Sequence, residues 1–120
     1  MNCFQTENKT LKAGMQQIQL QEALLKAVDE SLLMLGTSVK QAVYYYIERY
    51  YGIKREEIPF KLKEFHEALE NIFGFGVKVL EKLIVKTFYG ILGLPFEEHE
   101  DWDFSKYIEF AKNFKKYINN

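Results

Sequence analysis

Sulfur chemistry is the first thing this sequence lacks. Cys3 is its single cysteine in 120 residues, so an intramolecular disulfide is impossible and a cysteine-based zinc site cannot be assembled within one chain, which fits a reducing, cytoplasmic setting. Arginine is confined to Arg49 and Arg55 and histidine to His66 and His99, which leaves little of the bidentate chemistry that reads bases. Charge of one sign is missing too. Net charge is -1, with 7 cations against 7 anions in residues 1–60 and 9 against 10 in residues 61–120. Nothing therefore draws the whole chain toward nucleic acid or an acidic membrane, and any such contact has to be local. Long apolar runs are absent as well. The opening "MNCFQTENKTLKAGMQQIQ" has no apolar core of a secretory signal, and "LQEALLKAVDESLLMLG" is interrupted by Glu22, Lys26, Asp29 and Glu30, so no membrane association is expected. Strand-type alternation and internal repeats are equally missing.

What the sequence has is helical periodicity. An apolar fraction of 48% with 28% charged residues is that of a folded chain, and this length suits one domain burying roughly 65% of the surface it exposes when unfolded. Residues 1–14 read as a polar arm, and 15–120 as the domain. From Gln16 to Leu35, Leu20, Ala23, Leu24, Ala27, Val28, Ser31, Leu32 and Leu35 recur at the spacing of one helical face. Leu25, Leu33 and Met34 widen that stripe, which predicts a central, nearly surrounded helix. Gly36 ends it, and Ser38 with Gln41 forms an S-x-x-Q capping box for a second helix over about 39–51, burying Val39, Ala42, Val43, Tyr46, Ile47 and Tyr50 before Gly52. "IKREEIPF" reads as a polar connector anchored by Ile53, Ile58 and Phe60. A third helix follows over about 62–73, with Leu62, Phe65, Leu69, Ile72 and Phe73 inward. The fourth, about 76–92, turns Val77, Leu80, Leu83, Ile84, Phe88, Ile91 and Leu92 inward and Lys78, Glu81, Lys82 and Lys86 outward, and Gly93-Leu94-Pro95 stops it. An acidic loop occupies residues 95–103. Asp103 then caps a last helix over 104–118, with Phe104, Tyr107, Ile108, Ala111, Phe114 and Ile118 inward. The predicted class is all-α, a single-domain bundle of about five helices.

Chemical motifs are few. Gly74-Phe75-Gly76 opens a helix and can offer backbone N–H groups to a phosphate. It follows a helix rather than a strand, however, and lacks a third glycine and a P-loop Lys-Ser/Thr, so a tight corner between helices explains it better. His66 and Glu70 stand at i, i+4, half of a metal-binding pattern whose second histidine is missing, and no Glu precedes His66 by three residues. His66, Glu70, Gly74 and Gly76 together make a candidate ligand corner, with no metal or cofactor expected. "EEHEDWD" is rich in carboxylates but lacks the spacing and glycine of a calcium loop; its acids suit the start of the following helix, and Trp102 is expected to pack on the bundle. Cys3, Ser31, Ser38 and Ser105 show no pairing with a histidine, so the chain is expected not to be an enzyme.

Aromatic residues are the anomaly. In "VYYYIERYY", Tyr46 and Tyr50 fit the buried face, but Tyr44, Tyr45 and Tyr51 cannot all join them on one helix. Either the other helices of the domain cover them, or they form a contact surface for a protein partner or a second copy of the chain. Lys78, Lys82 and Lys86 on the fourth helix, with Lys112, Lys115 and Lys116 on the fifth, supply the alternative reading of a nucleic-acid-binding regulator.

The segments "LLKAVDESLLMLGTSVKQAVYYYIERYYGI", "EEIP" and "EFHEALENIFGFGVKVLEKLIV" resemble a small archaeal helical domain family of unknown function, proposed as a signalling output domain in ammonia-oxidising archaea. The resemblance covers residues 20–94 and rests on the Leu-Gly corner, the Tyr-rich helix, the Ile-Pro turn and Phe-His-Glu-Ala-Leu before the Gly-x-Gly helix start. It implies an archaeal cytoplasmic helical module with a regulatory or interaction role, and it brings no catalytic residues. Residues 1–15 and 96–120 lie outside it.

Overall fold

The computed structural model describes the backbone of residues 3–118 and the side chains of residues 14, 15 and 17–114. Five helices, with no strand among the described residues, form an all-α bundle: α1 (Cys3–Met34), α2 (Thr37–Tyr51), α3 (Leu62–Phe73), α4 (Val77–Leu92) and α5 (Phe104–Ile118), with short 3-10 helices at Arg55–Phe60 and Gly74–Gly76.

The α1 stripe packs most extensively on α4. Leu24, Ala27, Val28, Ser31 and Leu32 from α1, and Ile84, Val85 and Phe88 from α4, are all but sealed from solvent. Burying a Leu, Ile or Phe side chain contributes about 1.5–3 kcal/mol, so this seam is the main source of cohesion. α2 lies on α1 and α3, and α5 on α3 and α4. The seam accounts for only the C-terminal third of α1. Helix α1 is described from Cys3, so residues 3–14 of the stretch read as a polar arm are its first turns, residues 1 and 2 lying outside the described ones, and its 32 residues reach about 48 Å at 1.5 Å per residue. Met15 and Ile18, close to the midpoint of the helix, are exposed, as are Leu33 and Met34 at its C-terminal end and Leu35 just beyond it. Over its described side chains the helix is thus covered on one face between Ala23 and Leu32 and bare at Met15, Ile18 and its C-terminal end, not surrounded as its wide stripe suggests.

Local signals fix the corners. Gly52 and Gly93 adopt left-handed conformations, φ 65° and 71°, where a side chain would be strained, and the Leu94 N–H donates back to the Tyr89 carbonyl at 2.9 Å. Asp103 caps α5 by accepting from the Lys106 N–H at 2.8 Å. Ser38 does not cap α2: Gly36 holds that position and no side chain caps the helix, because Thr37 is already helical and places Ser38 inside the first turn. In the connector, the Lys54 N–H donates to Glu57 Oε1 at 2.9 Å, which closes the 3-10 helix and buries Ile58 while leaving Phe60 exposed. Phe60 is therefore not the anchor its chemistry suggested. Ala42, Tyr50 and Ile91, read as inward, are exposed, since only α1 and α3 flank α2 and the end of α4 runs past its neighbours.

Candidate functional site

Three places selected from sequence meet different fates. On α2, Tyr44 is half-buried and its hydroxyl donates to Asp29 Oδ1 at 2.5 Å. Arg55 completes the site: Nε donates to Oδ1 at 3.0 Å and Oδ2 at 3.2 Å, and Nη2 to Oδ2 at 2.5 Å, with Lys40 Nζ 3.9 Å from Oδ1. Burial pushes the Asp29 carboxyl upward, but the hydrogen bonds from Arg55 and Tyr44 and the nearby cations outweigh it and hold it below the ordinary value. Burial and the bond to Asp29 drive the Tyr44 hydroxyl well above the usual phenol range. Tyr44 is thus an internal clasp joining α1, α2 and the connector. Tyr51 is half-buried and accepts a hydrogen bond from the Asn71 amide of α3. Tyr45 remains outside, 69% exposed, and Tyr50 joins it at 67%. Tyr50 packs on Tyr46 at 4.8 Å between ring centroids, and the Arg49 guanidinium sits 5.8 Å over its ring.

Around His66 the structure supplies a partner that the sequence reading turned outward. His66 Nδ1 donates to Glu81 Oε2 at 2.6 Å, and Nε2 lies 3.7 Å from Glu70 Oε2. Glu81 is 8% exposed, not solvated. The signal was available: Val77, Glu81, Val85 and Tyr89 form one i, i+4 row whose other members are buried. Burial raises the Glu81 carboxyl, and His66 only partly offsets this. Burial lowers the His66 imidazolium, but the carboxylates of Glu81, Glu70 and Asp103 prevail and raise it.

Glu81 and His66 line a cleft of about 560 Å³ closed by residues 96–104. That far wall is rigidly hung. The Tyr107 hydroxyl accepts from the His99 N–H at 2.8 Å and donates to the His99 carbonyl at 2.9 Å, while Tyr89 donates to the Tyr107 carbonyl at 2.8 Å. His99 stacks on Trp102 with centroids 3.8 Å apart, so Trp102 packs on the bundle as expected. Glu70, Gly74 and Gly76 do not line the cleft: Glu70 stays beside His66, while Gly74 and Gly76 belong to an exposed turn whose Phe75 is 96% exposed. Among the described residues, no group of three His, Cys, Asp or Glu side chains is placed to hold a metal ion.

The lysines are dispersed among opposite charges and rings. Lys82 pairs with Glu98, Lys86 Nζ lies 5.5 Å over the Phe96 ring, and burial lowers the half-buried Lys112, with Glu109 opposing. Lys78 is exposed. Lys115 and Lys116 lie outside the residues whose side chains are described. No helix among the described residues is long and apolar enough to cross a membrane.

Comparison with protein-family models, with curated proteins and with solved structures gives no match.

Proposed function

We propose that this chain is a non-enzymatic helical interaction module that pairs with a second copy of itself through α2, in a signalling or regulatory role such as the archaeal resemblance implies. One observation carries the reading: Tyr45 and Tyr50 stand 69% and 67% exposed on α2, with the Arg49 guanidinium over the Tyr50 ring. Tyrosine and arginine are the residues that dominate binding energy at protein interfaces. Two features favour a second copy as the partner. A net charge of -1 gives little repulsion between copies. Glu48 and Arg49 are adjacent and both exposed, so an antiparallel pairing of two α2 helices offers each arginine the other copy's glutamate, as a two-fold interface requires.

The test is molar mass by light scattering over a concentration series, for the wild type and a Tyr45→Ala/Tyr50→Ala double variant. Both positions are exposed, and the changes are expected to shift stability by no more than about 0.5 kcal/mol each, so circular dichroism should be unchanged. A concentration-dependent dimer that the variant loses supports the reading. A monomer throughout, or a dimer indifferent to the tyrosines, overturns it.

A further inference from the structure

We infer that the cleft between α4 and residues 96–104 binds a primary ammonium group carried on an apolar stem, with Glu81 receiving the ammonium. This stands apart from the α2 surface and does not depend on it.

The decisive atom is Glu81 Oε1. The Glu81 side chain is nine-tenths buried, yet His66 engages only Oε2, and no protein donor reaches Oε1 among the described residues. Oε1 keeps an opening to solvent, since Ser31 Oγ alone is a buried side-chain polar atom without a partner among the described residues, so it is an acceptor that can be reached. Here it faces a cleft, so a donor can come from outside the chain. The surrounding charge selects a cation. Glu70 from α3, Glu81 from α4 and Asp103 from the start of α5 all act on the single His66 imidazole, so even a protonated His66 leaves negative charge uncompensated. Over the whole cleft the carboxylates of Glu81, Glu98, Glu100, Asp101 and Asp103 stand against Lys78 and Lys82, and Lys82 is already taken by Glu98.

The other walls select an apolar stem. Val79 lines the cleft while 75% exposed, and Val85, Phe96 and Phe104 continue the apolar surface inward. A volume of about 560 Å³ lies within the usual range for small-molecule sites, about 300–1,000 Å³. A ring joined to an amine by two carbons fits that chemistry.

Trp102 is the chain's only tryptophan and lines the cleft, so its fluorescence reports occupancy without a label. The experiment titrates the full chain with phenethylamine, with 2-phenylethanol as the neutral counterpart, and with N-acetyl-lysine methylamide to present the ammonium as a protein side chain does. Saturable binding of phenethylamine at least about tenfold tighter than of 2-phenylethanol is expected, the difference a charge-assisted hydrogen bond makes. Glu81→Gln should abolish that preference and leave 2-phenylethanol binding as it was. Val79→Lys, at an exposed position that cannot compromise the core, should weaken phenethylamine by placing a cation at the mouth. If the lysine derivative matches phenethylamine, the ammonium is a protein's; if it does not, it belongs to a free amine, and both satisfy the inference. Equal affinity for amine and alcohol, no saturable signal in the wild type, or a preference that survives Glu81→Gln overturns it.

Discussion

Replacing Asp29 by alanine removes the acceptor at which three elements meet. Tyr44 loses the acceptor of its hydroxyl, and the Arg55 guanidinium loses three contacts. A hydrogen bond to a charged group contributes about 1.5–3 kcal/mol when buried, whereas an exposed ion pair contributes about 0–1 kcal/mol. The Arg55 side chain is 38% exposed and can turn to water, so its share falls to about 1 kcal/mol. The half-buried tyrosine hydroxyl adds about 1–2 kcal/mol. The expected loss is about 2–3 kcal/mol, which lowers Tm by about 8–12 °C for a chain of this size. Urea and thermal unfolding followed by circular dichroism read it directly. An Arg55→Leu partner variant closes a double-mutant cycle with a coupling of about 1 kcal/mol. The pH dependence adds an independent check. The carboxyl of Asp29 is held below its ordinary value of 3.8 in the folded state, so its contribution is present in full above that value and is lost as pH falls through the folded one. Wild type and Asp29→Ala should therefore converge in strongly acidic solution. A variant within about 0.5 kcal/mol of wild type at pH 7, or a gap that persists in acid, would refute the reasoning.

Three further outcomes are expected. The Ser31 Oγ is sealed in the α1 face without a hydrogen-bond partner, so Ser31→Ala should raise stability by up to about 1 kcal/mol in urea unfolding, a buried polar group having been removed rather than orphaned. Gly74, at φ 59° and ψ -130°, should cost about 1–3 kcal/mol when changed to alanine. Gly76, at φ -65° and ψ -14° with an added Cβ in ordinary contact with Phe73, should instead gain about 0.4–1 kcal/mol from a stiffer unfolded chain.

The bundle was legible because its core stripes are periodic and its corners carry glycine. Leu24 to Leu32, Phe65 to Leu69 and Phe104 to Ala111 lie inward as their spacing demands, and Gly52, Gly93 and Asp103 stop or start helices for the reasons their side chains suggest. Stripe width was the misleading quantity. Leu33, Met34 and Tyr50 are apolar or aromatic and yet exposed, since period says which side faces the core and not how far neighbouring helices extend. Polar pairings across helices were harder still. Asp29 meets Tyr44 and Arg55 over separations of 15 and 26 residues, and no local pattern encodes that. Glu81 is charged although its row is apolar, and the geometry of the row, not the charge of one member, decides which way it faces. The hydrogen-bond partner of His66 lies on the next helix rather than one turn along its own.

The length of α1 bears on how the molecule moves through water. With a 32-residue rod crossing a bundle of shorter helices, the particle measures 56 × 31 × 22 Å, far from spherical. Rotation about the long axis is faster than end-over-end tumbling, and translational friction exceeds that of a sphere of equal mass. A single copy will therefore leave a gel-filtration column early, in the place a compact particle of greater mass would occupy.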